Sequence, residues 1–316
     1  MADAITTTAS VSYDQTAYDR MAYFSLRPEL YFDAIADVQP TRQAMPGAAV
    51  VFSVQTDMSV ASTTINESVD VDAVALSNTQ VTLTLGEYGN VAMTSAKLRG
   101  VAFIELDPVV ANVIGYNAGI SIDTVARDVL KAGTNIRYSG QATARNTVIP
   151  TDNLVANNVR RALADLRGAS VATIGGLYVS FIHPDVSYDL RGQTGAAAWR
   201  DPHTYSQPGE IWNGEIGAFE GFRFIETPRA PVFSDAGSST TLTDVYRTLF
   251  LGRQGLGKAF SVTDGNGAYP KVVAGPVTDH LRRFQPMGWY WLGTYGIFRQ
   301  EAVRAFESSS TIGVNA

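Results

Sequence analysis

From residue 43 to residue 96 the chain carries neither lysine nor arginine, and its apolar residues recur at every second position. Val50, Phe52, Val54, Met58 and Val60 fall on one side of an extended strand, with Ser53, Gln55, Asp57 and Ser59 on the other. Val69 and Val71 alternate with Asp70 and Asp72, and Val81, Leu83 and Leu85 alternate with Thr82 and Thr84. Such alternation predicts strands with one apolar face. Pro46-Gly47, Asn78 and Gly86 supply the breaks between them. Two arms of about 18 residues reach roughly 60 Å at 3.3 Å per residue. An isolated hairpin is marginal in water, so a limb this long has to lie on something. Its charges are Asp57, Glu67, Asp70, Asp72 and Glu87, all of one sign. They read either as a solvated acidic face or as a projecting limb that docks on an Arg-bearing partner surface. The second reading is favoured, because arginine is plentiful elsewhere in the chain.

Composition points the same way. Charged residues make up 17% of the 316 positions, against about 25% in an ordinary soluble domain. That leaves little solvated surface, which reads either as a large domain with a small surface fraction or, more sharply, as extensive burial against other subunits. The net charge of −6 argues against a general nucleic-acid binder. Cysteine is absent, which excludes disulfides, Cys metal sites and thiol catalysis. Lysine occurs only at positions 97, 131, 258 and 271. The basic residues are therefore nearly all Arg, whose planar fork suits fixed interface pairs. No run of eighteen apolar residues appears, so no membrane span or membrane partner is expected. The first ten residues lack the basic start and apolar core of a signal peptide, so the protein is expected to stay in the cell that makes it.

The first forty-odd residues read as an arm punctuated by Tyr13, Tyr18, Tyr23, Phe24, Tyr31 and Phe32 and interrupted by Pro28. Short helices are predicted over 15–26 and 29–37. So short an arm cannot bury its own rings, which makes Tyr18 and Tyr31 candidate interface residues. After the limb, Asp107 as N-cap and Pro108 at the first helical position open a long helix that Gly133 closes. About 25 residues make a rod near 37 Å, weakened by Gly115 and Gly119. A polar linker over 134–150 precedes a second helix, capped by Thr151 or Asp152, with a stripe of Leu154, Val155, Val159, Ala162, Leu163 and Leu166. Strands are predicted over 177–182, 216–225 and 245–251, and a short helix over 186–191. The loop 192–209 holds Trp199 and Arg200, two further interface candidates. An aromatic strand pair over 289–298 and a terminal helix or strand over 300–306 complete an α+β chain.

Catalytic motifs are weak. Gly252-Arg253-Gln254-Gly255-Leu256-Gly257-Lys258 fits the first seven positions of a phosphate-binding P-loop, but Ala259 stands where the metal-binding Ser or Thr belongs. The residues that follow do not read as a helix, so no helix N-terminus would face a phosphate. His183, His203 and His280 show no metal-ligand spacing. No Gly-x-Ser-x-Gly elbow is present. Trp289, Tyr290, Trp291 and Tyr295 read as packing aromatics before base-stacking ones. No cofactor, metal or catalytic residue is expected.

The order of elements, from aromatic arm to extended hairpin, long helix, α/β body and aromatic return strand, resembles the major capsid proteins of tailed phages. More narrowly it is similar to the N4-type capsid family. The segments that carry the likeness are Leu26-Arg27-Pro28-Glu29-Leu30-Tyr31-Phe32-Asp33, Ile182-His183-Pro184-Asp185 with Tyr188-Asp189-Leu190-Arg191, Gly214-Glu215-Ile216-Gly217-Ala218-Phe219-Glu220-Gly221-Phe222-Arg223-Phe224-Ile225-Glu226-Thr227 and Met287-Gly288-Trp289-Tyr290-Trp291. The family's basic residue after Gly288-Trp289 is replaced here by Tyr290. The resemblance implies an α+β, HK97-like (Hong Kong-type) capsid fold. It places an N-terminal arm at 1–46, an E-loop hairpin at 47–95, a P-domain at 96–150 and 262–316 with its spine helix at about 107–132, and an A-domain at 151–261. It implies an icosahedral shell of hexamers and pentamers around double-stranded DNA held without sequence-specific binding. A portal, and scaffolding or cement proteins, are the partners it suggests, with assembly in the host cytoplasm. A cellular compartment shell enclosing an enzyme, a nucleotide-binding α/β enzyme and a tail-tube subunit are the competing expectations. Cargo-filled particles, tight ATP binding and tubes would mark these in turn.

Overall fold

A computed structural model describes residues 31–38, 49–55, 78–102, 106–193, 215–261, 267–274 and 283–312, with scattered positions in 58–76 and 276–281. At its centre lies the helix the sequence predicts. Of the first two helices, α1 (Ala96–Val101) and α2 (Leu106–Lys131), α2 has 26 residues and begins one residue before Asp107. Ile114, Ala118, Ile122, Ala126 and Leu130 recur at every fourth position and are all buried, as one face of an α-helix requires. The helix runs unbroken through Gly115 and Gly119. Its Val109–Lys131 stretch is long and apolar enough to cross a membrane by length and composition, which the run-length reading did not anticipate. Here the buried stripe packs between two sheets.

The first sheet is built around one long strand. Strands β1 (Asp37–Val38), β4 (Gly86–Ser95), β11 (Leu256–Phe260), β12 (Lys271–Ala274) and β13 (Phe284–Ile297) form it. The aromatic strand pair predicted over 289–298 is this single strand β13. Along one edge β13 pairs with β4 from Phe284↔Ser95 to Gly293↔Gly86. Along the other it pairs with β12 and then β11, and β1 runs parallel to β11. Trp289, Trp291 and Tyr295 point to α2, where they share one core with its buried stripe.

The second sheet has seven strands, ordered β5-β14-β10-β6-β8-β7, with β9 also on β10. They are β5 (Ile136–Tyr138), β6 (Tyr178–Ile182), β7 (Glu215–Phe219), β8 (Phe222–Glu226), β9 (Val232–Phe233), β10 (Val245–Leu251) and β14 (Val303–Ser308). Every residue of β6 and β10 is buried, because helices cover both faces. Val179, Phe181, Leu249 and Leu251 face the core shared with α2. Tyr178, Ile182, Tyr246 and Phe250 face α3 (Ala156–Gly168) and α4 (Pro184–Gly192).

Several local expectations are corrected. The strand predicted over 216–225 folds back at Glu220-Gly221, both at positive φ (48° and 80°), the backbone a tight two-residue hairpin turn requires. Helix α3 starts at Ala156 rather than at a Thr151 or Asp152 cap, and Gln193 Oε1 accepts its first N–H at 3.1 Å. Asp152 instead accepts from Ile149 N at 3.0 Å. Of the helix predicted over 29–37, the described residues 31–37 form a 3-10 turn, Asp33–Ile35, leading into β1. The backbone N–H groups of Phe32 and Asp33 go to the carboxylate of Asp123 on α2, not to helical carbonyls. The arm helix predicted over 15–26 lies outside the described residues. The chain division also meets a difference: β5 and β14, assigned to the P-domain stretches, hydrogen-bond in the seven-stranded sheet, and β11 joins the sheet of β13.

Candidate subunit-interface surfaces

The limb is a two-stranded sheet of β2 (Ala49–Gln55) and β3 (Asn78–Thr84), in antiparallel register from Ala49↔Thr84 to Gln55↔Asn78. Asn78 is therefore a strand residue opposite Gln55, not the turn the sequence suggested. Among the described residues the apolar face of the limb is covered at its base. Val50 and Leu83 pack on Ala259, with Phe52, Val81 and Phe298 around them, and the Phe52 and Phe298 rings lie 4.8 Å apart. Two glycines make room for this seat. A Cβ on Gly296 would sit 2.1 Å from Leu83 Cδ2, and one on Gly257 would sit 2.0 Å from Phe298 Cζ. Further out the covering stops: Val60 is 89% exposed and Leu76 75%, and Met58 and Val74 are also exposed. Glu87 and Asp70 are exposed, and Asp57, Glu67, Asp72, Val69 and Val71 lie outside the described residues.

A second uncovered surface lies on the side of β13 away from α2. Residues opposite one another across strands share a face. The rows Val91–Gly288–Val273 and Gly89–Tyr290–Lys271 run across β4, β13 and β12, and the pairs Glu87–Leu292 and Met93–Pro286 flank them. Val91 is 63% exposed, and Val273 is exposed too. Lys271 and Lys97 on α1 supply exposed positive charge around this face, and Arg283 just before β13 is paired with Asp279 at 2.6 Å. The base of the limb already occupies the other end of the same face, at Gly296. Sequence reading missed the surface, because it exists only once three distant segments are in register.

The near-P-loop is not a phosphate site. Residues 252–255 turn from β10 into strand β11, so no helix N-terminus follows. Gly252 is required by packing, since a Cβ there would come within 2.3 Å of Val171 Cγ1. Lys258, 2% exposed, turns inward to Asp33 Oδ1 at 2.7 Å. Its ammonium lies 5.1–5.6 Å from the ring centres of Tyr269, Trp291 and Tyr295.

Asp33 also accepts from the Tyr295 hydroxyl. Burial, reinforced by Asp33, pushes that phenol far above the ordinary tyrosine range. Asp123 accepts Phe32 N at 2.8 Å and Asp33 N at 3.3 Å, and pairs with Arg229 Nε at 3.1 Å. Burial raises the Asp123 carboxyl above its usual value, and Arg229 opposes that rise. Tyr31 is half-buried and packs against the main core. Tyr18, Trp199 and Arg200 lie outside the described residues.

His183 caps α4, its Nδ1 accepting Asp185 N at 3.3 Å while the ring rests 5.0 Å from Tyr246. Burial lowers its pKa from the ordinary 6.5, against the pull of Asp185 and Glu226. His280 is exposed, and His203 lies outside the described residues. Among the described residues no group of three His, Asp or Glu is placed to hold a metal ion.

Two sheets joined by one long helix, with a β-limb thrown from the end of one of them, define a coat subunit of the α+β, HK97-like class. The likeness to solved structures shows the fold. The capsid of Ralstonia phage GP4 matches with a TM-score of 0.75 at 14% identity, over 94% of this chain and 95% of that one. The cyanophage Pam1 capsid asymmetric unit matches at 0.71 and 13%, over 100% of both chains. The acidic stable capsid of Helicobacter pylori bacteriophage KHP30 matches at 0.64 and 10%, over 98% and 99%. No curated protein matches by sequence. The chain belongs to the phage capsid protein family, whose model matches residues 7–311, and it is a structural major capsid protein. The compartment-shell, nucleotide-enzyme and tail-tube expectations find no support.

Proposed function

We propose that this protein builds a closed icosahedral shell of hexamers and pentamers around a double-stranded DNA genome, as a non-enzymatic subunit of the N4-type kind. In this reading residues 1–46 are the arm and 47–95 the E-loop segment, whose β2–β3 hairpin projects as the limb while β4 stays in the body sheet, and 151–261 make the A-domain apart from β11, with the P-domain built on α2 and β13. The limb of one copy lies on the outer face of β4, β13 and β12 of the next. One observation carries the reading: among the described residues the apolar side of the limb is seated at its base and exposed further out, and the uncovered remainder of the face that seats it carries Val91, Val273, Leu292 and Pro286. The charges of the β2–β3 limb are acidic, and Lys97 and Lys271 supply positive charge at the face, where Glu87 also lies and Arg283 is already paired with Asp279.

Apolar area withdrawn from water at such a contact contributes roughly 25 cal/mol per Å², repeated at every lattice position. DNA is enclosed without base-specific contacts. A portal completes the shell, and scaffolding or cement proteins assist it in the host cytoplasm. Electron microscopy of the purified chain tests the proposal. Closed particles are expected, and monomers or tubes across a range of salt and concentration would refute it. Reversing Asp70 and Asp72 to Lys is expected to lower particle yield more at low salt than at high salt, because charge attraction fades beyond a Debye length of about 8–10 Å. Equal yields at low salt would show that these carboxylates merely face solvent.

A further inference from the structure

We propose that residues 31–38 form a strap, held to the body through Asp33, Asp37 and Asp123, that fixes where the N-terminal arm and the limb leave the subunit, and that Lys258 is its positioning residue. The strap is the stretch of chain between the two limbs, the arm before residue 31 and the β2–β3 hairpin after residue 48. The inference goes one step past the shell reading and rests on it only for the word arm.

The physical case starts from how little backbone structure holds these eight residues. They form one 3-10 turn and a two-residue strand paired to Gly257 and Lys258. Phe32 is fully buried with its ring 4.5 Å from Phe181, and supplies the main apolar anchor. Tyr31, Ile35 and Ala36 pack half-buried against the same core, and the polar grip on the strap comes from α2, β11, β13 and the turn before β11. Asp123 on α2 accepts the N–H groups of Phe32 and Asp33. Arg229, in the turn after β8, pairs with Asp123 and donates to Ile120 O at 3.2 Å and Thr124 Oγ1 at 2.8 Å, which holds the acceptor in place. Lys258 on β11 and Tyr295 on β13 converge on the Asp33 carboxylate. Gln254 N, in the turn before β11, donates to Asp37 Oδ2 at 2.9 Å.

Lys258 gives the arrangement its direction. A buried ammonium among three aromatic rings needs a counter-charge. The carboxylate it pairs with belongs to the strap, so the cation keeps the strap seated rather than being a passive part of the wall. The sheet of β13 does not depend on the pair for its hydrogen bonds. Loosening it should therefore free the strap, and with it both limbs, while the body stays folded.

Hydrogen exchange of the full chain tests this, comparing strap peptides with peptides of β10 and β14. Lys258→Met keeps the apolar stem and removes the charge. Strap amides are expected to exchange at least tenfold faster, with β10 and β14 unchanged. Asp33→Asn should do the same, and the double variant should add little to either single, because the two residues act as one pair. Unchanged strap exchange, equal acceleration throughout the chain, or additive losses would each overturn the proposal. Particle yield is read alongside. Reduced assembly of Lys258→Met with a protected body supports a strap that aims the arm, and full assembly with a released strap overturns that role. A wild-type chain that forms no particles overturns the shell reading alone, since exchange is measured whether or not the chain assembles.

Discussion

Glu307 should be the most costly single carboxylate to remove from this subunit. It lies on β14 with no exposed surface, and two arginines converge on it. Arg247 donates to Oε1 from Nε at 2.9 Å and from Nη2 at 2.5 Å. Arg145 donates to Oε1 at 2.8 Å and Oε2 at 3.0 Å, and this hydrogen bonding raises its already high pKa. Arg247 also reaches the carbonyl of Lys131, so the cluster ties β10, β14 and the 3-10 turn at Arg145 to the end of α2. Glu307→Gln keeps the shape and removes the only negative charge shown among these groups. Arg247 is 2% exposed and cannot turn to water, whereas Arg145, a third exposed, can. The loss should therefore resemble breaking one buried pair, about 3–5 kcal/mol. At roughly 2 °C or more per kcal/mol in a large domain, the variant should melt at least about 6 °C below wild type. The assay is thermal unfolding at one protein concentration and one assembly state, since association shifts the transition. Arg247→Met with Glu307→Leu should recover most of the loss, because an apolar pair of similar volume can replace a buried ion pair. A Glu307→Gln transition within about 2 °C of wild type, or a double variant no better than the single, would refute the reasoning.

Other expectations follow from the same geometry. His183 has a lowered folded pKa, so its contribution to stability is complete above the unfolded value of about 6.5 and is lost as pH falls below it. His183→Asn, which keeps a capping acceptor, should flatten the melting temperature between pH 7 and pH 5; an unchanged slope would count against the cap. Gly296→Val should unseat the base of the limb through Leu83, seen as lower particle yield with near-wild-type far-UV circular dichroism; normal assembly would show the seat to be dispensable. Lys258→Ala should leave nucleotide turnover at background, as in wild type; a wild-type ATPase abolished by this change would restore the phosphate reading. Lysine is absent from residues 43–96, and Lys97 sits in α1, beyond the β4 pairing that ends at Ser95. Mature particles boiled in detergent should therefore give one band near 33.9 kDa, and a covalent ladder would show otherwise.

What the sequence made legible were features whose cause is local. The buried face of α2 repeats every fourth residue, and the limb alternates every second, so both periods stand in the chain itself. Where a distant group took over, local reasoning failed. Within the helix predicted over 29–37, the N–H groups of Phe32 and Asp33 go to Asp123, roughly ninety positions away, and the first N–H of α3 is satisfied by Gln193 instead of a preceding cap. The same holds for Lys258. In sequence it stood at the end of a glycine-rich run, where a lysine suggests phosphate. Its partner is Asp33, 225 positions earlier, and its cage comes from β13 and from Tyr269. A charge pair that closes between remote segments leaves no period and no motif. Its trace is an imbalance instead, a lysine set in an apolar strand with no acid in that strand. A buried cation must find a counter-charge somewhere. In a chain with so few lysines each one poses that question, and for Lys258 the fold answers it with Asp33.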